Sequence, residues 1–237
     1  MLAIKNLTVE AQGKTIVKDV NLEIKDGERV VLFGPNGSGK TTLFRVIMGL
    51  DGFKIKKGDI EVDGKSIKKK SIDERVKLGL GYVGQKSVGI KGVTVEDLMD
   101  QYDFEYEDIK KTIDQLNIDE LLKRDINYTL SGGEVKRVEL FTLSLLDNIH
   151  TYLLDELDSG VDLENIGRIA DYLNEVSKEK SVVITTHTGA ILKELKVDTA
   201  YVILNGEIVC KGKPKKVWEC INKQGYEKCL NCEIGEK

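Results

Sequence analysis

Four short apolar runs punctuate the chain, and each ends on polar residues. They are Val30-Val31-Leu32-Phe33 before Gly34, Leu80-Gly81-Tyr82-Val83 before Gly84-Gln85, Tyr152-Leu153-Leu154 before Asp155-Glu156, and Val182-Val183-Ile184 before Thr185-Thr186-His187. Runs this short, rich in Val and Ile and separated by long helical stretches, predict strands buried on both faces of a parallel sheet. In open α/β sheets a ligand sits beyond the carboxyl ends of the strands, so the residues closing these runs are expected to converge on one site. Residues 2–33 follow another pattern, with alternating strands at Ala3 to Val9 and Val20 to Ile24 and turns at Gln12-Gly13 and Asp26-Gly27. This predicts an antiparallel edge beside the parallel core. Val95 to Met99 and Ile109 to Leu122 carry helical spacing and predict an inserted subdomain over approximately 92–133, leaving approximately 1–91 and 134–237 as the core of a single domain. From Tyr201, VILNGEIVCKG predicts a hairpin around Asn205-Gly206 followed by a helix.

Composition narrows this picture mainly by exclusion. With 237 residues, 41% hydrophobic and 32% charged, the chain suits an ordinary globule with a real core. No apolar run reaches the roughly 18 to 20 residues that cross a bilayer. The start, MLAIKNLTVEAQGK, turns polar at Lys5-Asn6, too early for a secretion signal. A cytoplasmic location without direct membrane insertion is expected. The net charge of −4, from 36 basic and 40 acidic residues, gives no reason to expect a nucleic-acid partner, and the cluster from Lys65 to Lys70 reads as a solvated face. Cys210, Cys220, Cys229 and Cys232 form no disulfide framework in such a chain. Cys229-x-x-Cys232 with Cys220 nearby suggests a metal or cluster contact, but it lacks the second pair of a closed zinc site, and thiols in a reducing cytosol are the expectation.

The chemistry begins at Gly34-Pro35-Asn36-Gly37-Ser38-Gly39-Lys40-Thr41, which satisfies the P-loop pattern G-x-x-x-x-G-K-[ST] between a strand and a helix (Thr42 to Gly49). Its glycines let backbone N–H groups face one point, and the helix amino terminus, with Thr42, adds partial positive charge, so the segment predicts an anion cradle. Lys40 is expected to meet the β- and γ-phosphates of ATP, and the Thr41 hydroxyl to ligate Mg²⁺. Asp155-Glu156 closes another apolar run. Because consecutive strand residues point opposite ways, Asp155 can hold Mg²⁺ through its water shell while Glu156 polarises the attacking water.

Leu130-Ser131-Gly132-Gly133-Glu134 is a sharper signal. With the P-loop, Gln85, Asp155-Glu156, Ser159-Gly160-Val161-Asp162 and His187 in that order, the chain resembles the ATP-binding cassette (ABC) ATPase domain over nearly its whole length. The resemblance implies an α/β fold: a P-loop NTPase core of the ABC ATPase type with an antiparallel β edge and an inserted α-helical subdomain carrying LSGGE. It implies an ATP-dependent, head-to-tail homodimer in which each ATP lies between one subunit's P-loop and the other's LSGGE. Ser131, Gly132 and Gly133 would form a second anion cradle. Gln85 would ligate Mg²⁺ and sense the γ-phosphate, Asp162 would lie at the dimer interface, and His187 would contact the γ-phosphate opposite Glu156.

Finer features point within the family. Transporter versions commonly read D-E-P-T-S-A-L-D where this chain has Asp155-Glu-Leu-Asp-Ser-Gly-Val-Asp162, and Val135-Lys136-Arg137 replaces the usual Gln after LSGGE. Both departures resemble the ATPase of the SUF iron–sulfur cluster assembly machinery, the SufC family. So do the stretches 51–60, 73–79, 90–95 and 223–226. The resemblance implies an ATPase that docks on a SUF-type scaffold and uses dimer closure to deform it; the alternative is the nucleotide-binding subunit of an ABC membrane transporter. Neither Ala11 nor Gln12 can stack on adenine as an aromatic residue near that position often does in this family, and Lys86-Ser-Val-Gly89 differs from the usual aromatic-proline stretch.

Overall fold

A computed structural model describes residues 1–87, 89–102, 104, 106–126 and 128–231, without the side chains of 108, 230 and 231. Two sheets organise it. A six-stranded sheet has the order β10-β9-β3-β8-β7-β6, built from β3 (Arg29–Phe33), β6 (Leu80–Val83), β7 (Thr151–Leu154), β8 (Ser181–Thr186), β9 (Thr199–Leu204) and β10 (Glu207–Gly212). All neighbours are parallel except β10, which pairs antiparallel with β9. The four apolar runs are therefore parallel strands, buried as their composition requires. The register of β3 with β8, Arg29 opposite Val182 through Phe33 opposite Thr186, brings their carboxyl ends level.

The second sheet is antiparallel, in the order β2-β1-β4-β5, from β1 (Leu2–Ala11), β2 (Lys14–Ile24), β4 (Lys54–Val62) and β5 (Lys65–Ser66). The early antiparallel strands thus pair with one another and with β4, while β10 is the antiparallel edge of the parallel sheet. β4 escapes a pattern reading because KIKKGDIEV is polar and half-exposed. Its Gly58 sits at φ 82, where the neighbouring backbone of Lys5 and Asn6 leaves no room for a Cβ, and the β1–β4 register shifts alongside.

Alternation along β3 divides the core. Val30 and Leu32 join one apolar cluster with α1 (Lys40–Met48) and the inner faces of β1, β2 and β4. Val31 and Phe33 join the other, with α3 (Val95–Asp100), α4 (Tyr106–Leu116), α5 (Gly132–Ser144), α6 (Leu163–Val176) and α7 (Pro214–Gln224). The inserted helices therefore share their core with the sheet. The helix expected from Ile109 to Leu122 stops at Leu116, because Asn117 turns left-handed (φ 49) before a short 3-10 helix at Asp119–Leu121. The remaining helix, α2 (Ile72–Lys77), starts on a Ser71–Glu74 capping box. Its Arg75 is buried and donates to Val46 O (2.8 Å) and Ile47 O (2.7 Å), closing the last turn of α1.

Cys210, Cys220 and Cys229 are buried, Cys210 and Cys229 within the larger apolar cluster, and the described residues contain no metal-like cluster of His, Cys, Asp and Glu. Cys232 lies outside the described residues. Among them no helix is long and apolar enough to cross a membrane.

Candidate active site

The loop between β3 and α1 has no side chain capping the helix. Its N-cap, Gly39, sits at φ 109 with no side-chain hydrogen bond, so the first N–H groups of Lys40, Thr41 and Thr42 lack the usual partner. The Lys40 ammonium curls back over the loop and donates to Gly34 O (2.7 Å) and Pro35 O (3.1 Å). Burial pushes this ammonium below the ordinary lysine range, against the pull of Glu156 and Asp155. Ser38 Oγ is buried without a hydrogen-bond partner. Uncapped amides, a partly desolvated cation and an orphaned hydroxyl together fit an anion.

The chain braces this loop with a segment that sequence reasoning did not connect to it. The turn between β9 and β10 lies against the P-loop: Gly206 N donates to Ser38 O (3.0 Å), and Lys18 N on β2 donates to Gly206 O (2.8 Å). A Cβ on Gly34 would lie 2.5 Å from Ile203 O, so the glycine is required by this close approach. No local signal links residues 34 and 206; only the pairing of β9 with β3 does.

The other strand ends deliver the remaining chemistry. Asp155 is wholly buried (0% exposed) and accepts from Thr185 Oγ1 at 2.7 Å, with the Tyr82 hydroxyl at 3.4 Å. Burial and then Asp155 push that phenol up to about 12. Glu156 lies past the end of β7 at φ 50, so it departs from strand alternation: a left-handed bend, tied by Glu156 N to Thr185 Oγ1 (2.8 Å), aims its carboxylate. Gln85 Nε2 donates to Glu156 Oε2 (2.6 Å), and His187 Nδ1 lies 3.9 Å from Glu156 Oε1. The Gln85 segment is held by residues not singled out from sequence: Lys136 Nζ donates to Gly84 O (2.6 Å) and pairs with Glu139 (3.0 Å), which accepts from Ser87 (2.5 Å). Trp218 stacks on Phe33 at 5.2 Å and packs against Gly189, supporting the loop after β8 from below.

Residues 34–42, Gln85, Asp155, Glu156 and His187 thus gather at the carboxyl ends of neighbouring parallel strands. Ser131, Gly132, Gly133 and Asp162 gather elsewhere. Ser131 caps α5 through a capping box with Glu134, and Asp162 caps α6 by accepting from Asn165 N at 3.0 Å. A Cβ on Gly132 would meet Gly160 O at 2.6 Å, and one on Gly133 would meet Asn165 Nδ2 at 2.5 Å. The glycine pair is therefore needed to seat α5 against the 159–165 segment. Ser131, Gly132 and Asp162 are exposed, and among the described residues no hydrogen bond or ion pair joins 131–134 to 34–42.

The ABC transporter family model matches residues 17–159. A probable ABC transporter ATP-binding protein of Streptococcus pyogenes is 34% identical over 95% of this chain and 93% of its own length. Among solved structures, a nucleotide-free ATP-binding cassette from an ABC transporter superposes with a TM-score of 0.79 at 24% identity, covering 100% of this chain and 99% of that one. A dimeric, post-hydrolysis ATP-binding cassette bound to ADP and phosphate superposes with a TM-score of 0.74 at 26% identity, covering 90% and 98%.

Proposed function

The chain belongs to the ABC transporter family and is an ATP-hydrolysing cassette; from this premise we propose that it is the energy-supplying subunit of a larger cytoplasmic-side assembly. Residues 34–42 hold the phosphates of ATP, Lys40 exchanges its loop carbonyls for phosphate oxygens, and Glu156 is the general base. The observation that carries this reading is the 2.6 Å contact of Gln85 with Glu156, beside His187 and the uncapped amino terminus of α1. In hydrolysis, Glu156 takes the proton of a water whose oxygen bonds to the γ-phosphorus as the bond to the bridging oxygen of ADP breaks, and His187 and Gln85 orient that water and its acceptor.

The residues present also fit Mg²⁺. Asp155 is a buried carboxylate whose described hydrogen bonds come only from neutral hydroxyls, and Thr41, the free oxygen of Gln85 and Asp155 supply the hard oxygen donors that this cation requires. When bound, the ion neutralises charge on the phosphate oxygens.

Dimerisation is part of the proposal. Ser131 and Gly132 are exposed and apart from the chain's own P-loop, and a related cassette is dimeric with ADP and phosphate. A second copy would bring its LSGGE segment, with Asp162, over the first copy's ATP. ATP then acts as a ligand with differential affinity for closed and open pairs. Glu156→Gln tests the chemistry: turnover should fall by about 10²-fold or more while the ATP-bound dimer accumulates in size-exclusion chromatography. Unchanged turnover rejects Glu156 as the base.

Two partners are in contention. The names of relatives favour a membrane transporter. The Leu157-Asp158-Ser159-Gly160 stretch and the Val135-Lys136-Arg137 sequence after LSGGE favour a SUF-type scaffold. Pull-down from native membranes and cytosol with ATP and Mg²⁺ separates them: a polytopic protein supports the first, and a soluble scaffold carrying iron and sulfide supports the second.

A further inference from the structure

Asp158 is 5% exposed, and none of the ion pairs among the described residues includes it. Its Oδ2 accepts two hydroxyls, Thr186 Oγ1 at 2.7 Å and Thr188 Oγ1 at 2.6 Å, while Oδ1 is buried with no hydrogen-bond partner. A carboxylate kept from water on these terms is a poor stabiliser, so what it holds in place matters more than any stability it adds.

The direction of these bonds follows from what else the threonines do. Thr186 Oγ1 already accepts from Thr188 N (3.1 Å) and Gly189 N (2.9 Å), and Thr188 Oγ1 accepts from Ala190 N (3.2 Å). Each hydroxyl therefore has its proton left to give, and Asp158 receives both. The carboxylate sits at the head of a network that runs through two side chains into the backbone of residues 188–190.

The two threonines bracket His187. On the other side, Asp158 shares a tight turn with Glu156, closed by Ser159 N donating to Glu156 O at 3.1 Å. The two hydrogen bonds that Asp158 accepts thus staple the turn carrying Glu156 to the loop carrying His187. His187 Nδ1 has no hydrogen bond of its own, so the position of the ring follows the backbone that Asp158 holds. We propose that Asp158 is a positioning residue for ATP hydrolysis: it sets the 3.9 Å separation between Glu156 and His187 by fixing the hydroxyls on both sides of the histidine. This rests on the roles proposed above for Glu156 and His187.

The test is steady-state ATPase kinetics on the full chain for Asp158→Ala, Asp158→Asn, Thr186→Val/Thr188→Val, His187→Ala and the double variant Asp158→Ala/His187→Ala. Asp158→Ala and the paired valine variant should lower kcat by about tenfold or more with KM for ATP within about twofold, because the P-loop is untouched. Asp158→Asn keeps an acceptor oxygen for both hydroxyls and should recover most of the loss. Because Asp158 acts through His187, the double variant should be no slower than His187→Ala alone, whereas a general loss of folding would add to it. Wild-type kcat in Asp158→Ala, or a full additive loss in the double variant, overturns the proposal. Wild-type kcat in His187→Ala instead overturns the functional reading beneath it. Should Asp158→Ala fail to fold, the valine pair and Asp158→Asn decide the question.

Discussion

Two of the chain's tight hairpins turn through the same geometry over different surroundings. Asp63-Gly64, between β4 and β5, has φ of 50 and 73; Asn205-Gly206, between β9 and β10, has φ of 52 and 83. Alanine at either glycine takes an L residue into left-handed space, at a cost of about 1–2 kcal/mol. A Cβ on Gly64 meets nothing within 4 Å, whereas one on Gly206 runs into Ile16 O. To regain ordinary contact, the Gly206 turn must back away by on the order of 1 Å. That strains two bonds, Gly206 N to Ser38 O (3.0 Å) and Lys18 N to Gly206 O (2.8 Å), each worth about 0.5–1.5 kcal/mol. Gly64→Ala should therefore lose about 1–2 kcal/mol and Gly206→Ala about 2–5 kcal/mol. At about 2–4 °C per kcal/mol for a chain of this size, the two melting points should separate visibly by calorimetry. The kinetic contrast is sharper. Only Gly206→Ala moves the backbone under the anion cradle, and a displacement of about 1 Å there costs up to about 10²-fold in kcat/KM at a temperature where both variants are folded. Wild-type kinetics in Gly206→Ala, or an equal kinetic loss in Gly64→Ala, would refute the idea that this turn holds the P-loop.

Arg75→Met should destabilise by about 1–3 kcal/mol, because it strands the buried carbonyl of Ile47 at the end of α1, whereas Val46 O keeps the N–H of Gly49 at 3.1 Å; urea denaturation followed by circular dichroism measures it. The Ser131 N–H, bonded at 2.7 Å, holds the Glu134 carboxyl below its usual range. A depressed folded pKa contributes stability above the unfolded value of about 4.3 and loses it as pH falls through the folded value. Melting temperatures across acid pH should consequently fall more steeply below about pH 4.3 for the native chain than for Glu134→Gln, and parallel curves would remove the capping carboxylate from the account.

Much of the site was legible in the sequence because its signals are local. A phosphate loop needs glycines at fixed spacing beside a strand and a helix, and all of residues 34–42 are contiguous. The rule that ligands lie at the carboxyl ends of parallel strands then placed Gln85, Asp155, Glu156 and His187 together, and parallel pairing of β3, β6, β7 and β8 delivers them there. What stayed hidden depends on partners remote along the chain. β4 alternates poorly because one face is wet and a glycine bulge interrupts it, so its place beside β1 follows from pairing rather than composition. The left-handed bend at Glu156 is set by Thr185, 29 residues on. Gly206 reads locally as an ordinary hairpin glycine, yet its N–H holds Ser38, and Asp158 reads as one more acid in an acidic turn until β7 and β8 bring Thr186 and Thr188 to it. Periodicity and motif report which residue types a segment needs, because those needs act over a few residues. Which distant segment satisfies them is set by strand order and core packing, and those emerge only when the whole chain has closed on itself.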